Sequence, residues 1–314
     1  MDGIVVIDKP AGLTSHDVVT KVKRSMGARK VGHTGTLDPM ATGVLPVCIN
    51  EATKLAQFLS MDNKTYLATM LLGVQTDTQD IEGKVIEKSD KVVSEDAIRK
   101  VLEKMVGRIQ QVPPAYSALK HLGKPLYKYA RKGEFPEISA REVEIFSLKV
   151  RDISFPHATF EVSCSKGTYI RTLCHDVGNI LGCGACLSDL RRLQSGFFTE
   201  AMAVSIVDDA PGMKDRILSA MLPLAQCLPA LAVMTVDGTF ADKLRTGFQP
   251  DVETLGQNVP AFLAAGDMIK LVDTQGQLVA VAEMILAAGN LVRHESKSQG
   301  ARIIRVFNSN GSKD

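Results

Sequence analysis

Gly32-His-Thr-Gly-Thr-Leu-Asp38-Pro-Met-Ala-Thr-Gly-Val-Leu-Pro46 sets a single carboxylate, Asp38, in a loop built almost wholly from glycine, threonine and proline. Gly32, Gly35 and Gly43 open backbone angles closed to other residues and let a large flat ligand approach the main chain. Pro39 fixes the turn directly after the acid and biases Asp38 away from helical geometry. The Val44-Leu-Pro-Val-Cys-Ile49 run that follows reads as a buried strand, so the loop hangs from a rigid element. Taken alone, an Asp-Pro in a Gly-rich turn is a helix-capping turn. What the rest of the chain supplies decides between a cap and a reactive acid.

Outward from this loop, strands and helices mix without strict βαβ alternation, which predicts an α+β fold. Gly3–Ile7 reads as a strand. Thr14 and Asp17 have capping-box spacing, opening a helix through about Met26. Further helices are predicted from about Ala52 to Leu59 and over Ser94–Val106. The stretch Thr65–Leu72 alternates as a half-buried strand. Glu142–Ile153 and Thr159–Cys164 read as paired strands, and a helix begins just after Lys166-Gly-Thr. Between Val112 and Arg141 the sequence is Pro-, Gly- and Lys-rich with little core pattern and reads as an insertion protruding from the body. Beyond Pro229, short strand-like runs joined by Gly- and Asp-containing turns predict a small all-β module. The expected division is therefore 1–230 and 231–314.

The chain has 314 residues, 45% of them apolar, but only 5% are aromatic and Trp is absent, so its core rests on aliphatic side chains and Met. Net charge is +2, which excludes a global polyanion-binding field but not a local one. Lys21, Lys23, Arg24, Arg29 and Lys30 form one acid-free block, and Lys120, Lys124, Lys128, Arg131 and Lys132 a second. Two such blocks on a near-neutral chain predict a localised phosphate-binding surface. The N-terminus lacks a basic leader region, and no run reaches the length of a membrane span. Six cysteines in that context read as reduced thiols in the cytoplasm.

Several motifs fail on inspection. Thr34-Gly-Thr lacks the preceding nucleophilic Asp of phosphotransferases, and neither a Walker A nor a Rossmann glycine pattern is present. Cys183 and Cys186 have metal-ligand spacing, but no second clean pair completes a zinc site, and Cys174 and His175 point in different directions on a helix. Asp77, Asp80 and Gly83 do not match a calcium loop and read as a turn. Lys166-Gly-Thr-Tyr-Ile-Arg171 is more specific, because Arg171 at a helix entrance can pair with a buried carboxylate and hold it ionised.

Read together, these segments closely resemble the TruB family of pseudouridine synthases. The resemblance is carried by Gly3 to Ser15, Gly32 to Pro46, Lys64-Thr-Tyr66, Leu72 to Asp80, Val112 to His121, Cys164 to Arg171 and Leu190-Arg-Arg-Leu193, in order from residue 3 to about 200. It implies a mixed, mostly antiparallel-sheet catalytic domain with a small C-terminal PUA-like RNA-binding domain, and an RNA-clasping insertion at about 117–141. It implies isomerisation of uridine 55 in the TΨC loop of tRNA to pseudouridine, without metal or cofactor. By the same resemblance Asp38 is the catalytic aspartate, Tyr169 an active-site tyrosine that helps remove the C5 proton, and Arg171 the counter-ion of Asp38. Tyr66 stacks on the target base, His33 contacts the T-loop beside it, and Lys9 and Leu190 line the site. The expected partner is the tRNA T-arm stem-loop, gripped by Lys21, Arg24, Lys30, Lys120, Lys124, Lys128 and Arg131, with no membrane, no protein partner and a monomeric enzyme. Two rivals stay open at this point: a tRNA-binding or tRNA-folding protein without catalysis, and a guide-RNA-dependent pseudouridine synthase.

Overall fold

Alternation of apolar residues builds the central sheet of the computed structural model, which describes residues 1–206 and 212–308. The first half of the larger body runs β1 (Gly3–Lys9), α1 (Ser15–Met26), β2 (Val31–His33), β3 (Thr42–Ile49), α2 (Ala56–Leu59), β4 (Lys64–Leu72), β5 (Val74–Thr76), β6 (Val85–Lys88) and α3 (Glu95–Lys104). It continues through β7 (Gly107–Gln111), β8 (Lys120–His121), β9 (Lys124–Pro125), α4 (Leu126–Ala130), β10 (Arg141–Ser154), β11 (His157–Cys164) and α5 (Ile170–Leu181). Then come β12 (Ala185–Ser195), β13 (Phe198–Thr199), β14 (Ala203–Ser205) and α6 (Met213–Ser219). The C-terminal part adds β15 (Ala232–Thr235), α7 (Gly238–Arg245), α8 (Val252–Leu255), β16 (Met268–Val272), β17 (Leu278–Met284) and β18 (Ala301–Val306).

The main sheet is ordered β14-β1-β3-β12-β4-β11-β10-β7, with β2 on β3 and β13 on β12. Only β1 with β14 and β3 with β12 run parallel, so the sheet is mixed and mostly antiparallel, as expected. Because successive side chains alternate between faces, Val5 and Ile7 of β1, Leu45 and Val47 of β3, and Ala68 and Met70 of β4 share one face. There they build a core with Val18 and Val22 of α1, Ile98 of α3 and Leu173 of α5. The same parity puts Lys9, at the end of β1, and Tyr66, in β4, on that face too. The opposite face of β1 and β3 (Ile4, Val6, Val44, Cys48) packs against Val272, Leu278, Val281 and Phe307 of the C-terminal part. Lys270 pins that contact by donating to the carbonyls of Ala225 (2.9 Å) and Leu228 (2.8 Å).

Local chemistry explains most boundaries. Thr14 accepts from the Asp17 amide while the Asp17 carboxylate accepts from the Thr14 amide, the predicted capping box, and Gly27 closes α1 in the left-handed conformation. The helix predicted over 52–59 is instead a 3-10 turn (Asn50–Leu55) running into the single turn of α2. The tail holds the expected strands as a sheet ordered β15-β16-β17-β18. It is not strand alone, however: α7 and α8 pack over that sheet, each started by an aspartate cap, Asp237 or Asp251. The insertion is a β8–β9 hairpin with α4, set between the paired strands β7 and β10.

Two glycines mark backbone contacts that position the site. A Cβ on Gly178 of α5 would lie 2.1 Å from the Ala185 amide nitrogen, so only glycine lets α5 settle against the start of β12. Gly43 has φ +97°, and a Cβ there would lie 2.3 Å from the Arg192 carbonyl oxygen. Gly12 also has positive φ but nothing within 4 Å. Gly43→Ala should therefore lower the thermal midpoint well beyond Gly12→Ala, the added clash costing on the order of 2 kcal/mol over the shared left-handed strain. Equal losses in a melting comparison would show that the close approach to β12 is relaxed at no cost.

Candidate active site

Asp38 lies in the loop between β2 and β3, where side chains from three other segments and one backbone amide fix the main chain. Ser15 Oγ accepts from the Leu37 amide (2.8 Å) and donates to the Leu37 carbonyl (3.1 Å), clamping the residue before the acid. Lys9, wholly buried, donates to the carbonyls of Pro10 (2.9 Å), Pro39 (3.0 Å) and Ala41 (2.6 Å). The Gly12 amide adds a bond to the Pro39 carbonyl at 2.9 Å. Arg192 of β12 donates to the carbonyls of Val44 (2.6 Å) and Gly35 (3.1 Å), spanning both arms of the loop.

Arg171, at the second residue of α5, reaches this loop from the other side. Its Nε lies 2.9 Å from Asp38 Oδ2, and Nη2 donates to Asp38 Oδ1 at 3.2 Å. The opposite edge of the guanidinium meets Asp80 Oδ2 at 3.3 Å and the carbonyls of Thr78 (2.9 Å) and Tyr116 (3.0 Å). Asp80 is itself held by Thr78 Oγ1 (2.7 Å) and the Glu82 amide (3.2 Å). Arg171 is thus a buried cation shared by two carboxylates. Asp38 alone of the two keeps a large part of its side chain open, 32%.

The protonation of Asp38 is set by burial and Arg171, as expected, and also by Asp80. Burial pushes the carboxyl above the ordinary carboxylate range. Arg171 pulls it back, and the Asp80 charge pushes it up again. Lys9 is displaced the other way, to about 8, chiefly by burial, with Asp38 opposing the fall.

Tyr66 is buried on the core side of β4, directly opposite Arg192 of β12, and burial raises its phenol. Leu190, buried too, faces Ala68 one pleat away. His33 ends β2 with its Nδ1 buried and unpartnered, and burial lowers the imidazole so that it stays neutral. Tyr169 caps α5, half-buried, its backbone clasped by Gln111, which donates to its carbonyl (3.2 Å) and accepts from its amide (3.0 Å). The basic side chains lie away from this core. Arg24, Lys30, Lys120, Lys128 and Arg131 are exposed and Lys21 is half-buried. Lys124 sits 4.1 Å over the Tyr129 ring, and Arg131 5.4 Å over Tyr127. Among the described residues no cluster of His, Cys, Asp and Glu could hold a metal ion, and no helix is long and apolar enough to cross a membrane.

Comparison with known proteins gives this arrangement its family. The profile described as TruB family pseudouridylate synthase (N terminal domain) matches residues 23–170, and that of the tRNA pseudouridylate synthase B C-terminal domain matches residues 171–216. A tRNA pseudouridine synthase B of Syntrophus aciditrophicus is 50% identical over 98% of this chain and 99% of its own. The chain belongs to the TruB family. It is therefore a pseudouridine synthase, an isomerase. A Geobacter sulfurreducens tRNA pseudouridine synthase B is 42% identical over 98% of this chain and 100% of its own. Among solved structures, a chain of a Cbf5–Nop10–Gar1 complex shares 27% identity at TM-score 0.74, over 98% of this chain and 85% of that one.

For a TruB-family enzyme the geometry offers one solvent-reachable carboxylate on a braced loop, backed by a cation and an aromatic-lined sheet face. Asp80, Ser15, Gln111 and Arg192 were not expected in the site. Each falls in or beside a segment that carries the family resemblance, but nothing local distinguishes Asp80 from a turn residue. Because Asp80 adds to the upward push on Asp38, Asp80→Asn should lower the Asp38 pKa and move the acid limb of the pH–rate profile to lower pH. An unchanged limb in single-turnover rates would sever that coupling.

Proposed function

We propose that this chain isomerises uridine 55 in the TΨC loop of tRNA to pseudouridine, with Asp38 as the catalytic carboxylate. The observation that carries the reading is the Arg171–Asp38 pair: a partly open carboxylate held against a buried guanidinium, above the sheet face that holds Tyr66. The relatives named tRNA pseudouridine synthase B over nearly their whole length support tRNA as the substrate.

The reaction breaks the C1′–N1 bond, turns the freed uracil and joins C1′ to C5, with loss of the C5 proton. Attack of a carboxylate at C1′ or at C6, or removal of a proton from C2′, needs an ionised acid beside the nucleoside. Arg171 favours that ionised form against burial. Extruding the base costs a few kcal/mol, which an aromatic platform such as Tyr66 offsets. Tyr169, two residues before Arg171, is the candidate to assist C5 deprotonation. The neutral imidazole of His33 faces the T-loop beside the base, and Lys9 and Leu190 shape the pocket. Lys21, Arg24 and Lys30, with Lys120, Lys124, Lys128 and Arg131 on the clasping insertion, hold phosphates, while the loop's shape carries specificity. Residues 1–230 act as the catalytic domain, and 231–314 as a PUA-like RNA-binding domain. The enzyme works in the cytoplasm as a monomer, with neither a protein partner nor a cofactor.

The likeness to a chain from a multiprotein complex keeps a guide-RNA-dependent reading in view, but the higher identity lies with relatives named for tRNA. Tritium release from C5-labelled uridine in unmodified tRNA tests both readings with the purified chain alone. Wild type should release tritium, and Asp38→Asn should release none while binding tRNA within a few-fold. Release by the Asn variant at near wild-type rate would remove Asp38 from its role. No release by wild type on a bare T-arm would favour guide dependence or pure binding. Tyr66→Ala should cut turnover far more than stability, whereas parallel losses would make Tyr66 a core-packing residue.

A further inference from the structure

Buried charge in the catalytic body is unbalanced. Among the described residues, the buried charged side chains there are Lys9, Lys64, Arg171 and Arg192 against one acid, Asp80. Asp38 and Asp80 both answer Arg171. Among the described residues neither Lys64 nor Arg192 makes an ion pair: Lys64 binds backbone carbonyls only, and Arg192 binds backbone carbonyls and the Tyr66 side chain. Lys64 Nζ donates to Ser60 (3.1 Å) and to Asp62, and Arg192 to Val44, Gly35 and, at 3.5 Å, Thr36. The Asp62 carboxylate attracts Lys64 through space without reaching ion-pair distance.

These two cations meet at one place. Lys64 and Tyr66 lie on the same face of β4, and Arg192 stands opposite Tyr66 across the pair. A Cβ built on Gly35 would lie 3.5 Å from Arg192 Nη1 and 3.9 Å from Lys64 Cε, so both converge under the loop three residues before Asp38. Their repulsion, added to burial, lowers the Lys64 ammonium. Holding two unpaired like charges out of water is costly. If Arg192 were needed only to brace carbonyls, neutral donors would do so at lower cost. Arg192 is only 1% exposed and Lys64 only 7%, so neither can touch an RNA phosphate. What reaches a bound nucleoside is their field, little screened in a dry pocket.

We propose that Lys64 and Arg192 form a buried cationic pair whose field stabilises negative charge on the uracil ring as the C1′–N1 bond breaks. The bond's electron pair moves to N1 and spreads to the carbonyl oxygens, giving a uracil anion, while C1′ takes a pair from the Asp38 carboxylate or from the C2′–H bond and gives it back when C1′ joins C5. That anion returns a pair from C5 to C1′ when the new bond forms, and N1 takes a proton as C5 loses one. A fixed cationic field aimed where charge develops lowers that barrier without reorganisation. The inference rests on the pseudouridine-forming reading above and assigns the field to residues outside the Asp38–Arg171 pair.

The test compares single-turnover cleavage of the target C1′–N1 bond in T-arm stem-loops carrying uridine or 5-fluorouridine, using the full chain. Fluorine at C5 makes the departing uracil anion more stable, so that substrate depends less on the field. Arg192→Gln and Lys64→Met should slow the uridine substrate on the order of 10²-fold, as loss of one preorganised donor does. The 5-fluorouridine substrate should lose about tenfold less, and Arg192→Lys, which keeps the charge, should retain most of the wild-type rate. Equal losses on both substrates, no loss on uridine, or Arg192→Lys as slow as Arg192→Gln would overturn the proposal and leave Arg192 a loop brace. If Arg192→Gln fails to fold, Lys64→Met carries the same comparison without touching the Gly35, Thr36 or Val44 carbonyls. Failure of wild type to convert uridine would instead overturn the functional reading itself.

Discussion

The guanidinium of Arg171, buried between Asp38 and Asp80, is the constraint on which the rest of the site depends. It joins elements far apart in the chain: the Asp38 loop, the turn after β5, the start of α5 and the root of the insertion at Tyr116. A buried ion pair is not a source of stability in itself, but removing one partner strands a charge and costs about 3–5 kcal/mol. The fold therefore has to deliver all these partners together. Gly178 lets α5 settle against β12, and Gln111 clasps the backbone of Tyr169 at the helix start. Because the Tyr116 carbonyl accepts from the same guanidinium that holds Asp38, the insertion bearing the second basic block is tied directly to the Asp38 loop.

The loop around Asp38 shows how a stretch rich in glycine and threonine becomes rigid. Its carbonyls are taken up by the side chains of Lys9, Ser15 and Arg192, so the main chain is held from below by charges and a hydroxyl. A carboxylate that must act within a narrow geometry gains from such bracing, because a misplacement of about 1 Å costs on the order of 10²-fold in rate. The glycines keep side chains away from the surface that a nucleoside approaches, while cations beneath replace the hydrogen bonds a regular element would give.

Local signals were legible in the sequence, and long-range ones mostly were not. The Thr14–Asp17 capping box, the alternation in β4 and the helix after Lys166-Gly-Thr each depend on residues within a few positions of one another, and each stands in the fold. The Arg171–Asp38 pairing spans 133 positions and was reached only because family resemblance joined two motifs. Asp80 was read as a turn residue, and it is one; its ionic partner lies in another segment, where spacing arguments cannot reach. In the tail, Gly238 at the start of α7 and the four-residue length of α8 left too little apolar periodicity to set these helices apart from the strands around them.

A second carboxylate beside Asp38 looks counterproductive, since its charge makes Asp38 harder to ionise. The donor geometry of arginine resolves this. A guanidinium presents five N–H groups in a rigid plane, and Asp38 occupies only one edge of it. Without Asp80 and the Thr78 and Tyr116 carbonyls, the other edge would be buried and unsatisfied, and the fork would be free to turn toward any acceptor. With them, the plane is fixed whether or not Asp38 keeps its charge. In the proposed reaction Asp38 either bonds to the sugar or base or takes up a proton, and there that independence matters. At that moment Asp38 stops neutralising Arg171, and Asp80 keeps the guanidinium paired and in place. The upward push on the Asp38 pKa is then the cost of a counter-ion that holds its position through the step in which its first partner is consumed.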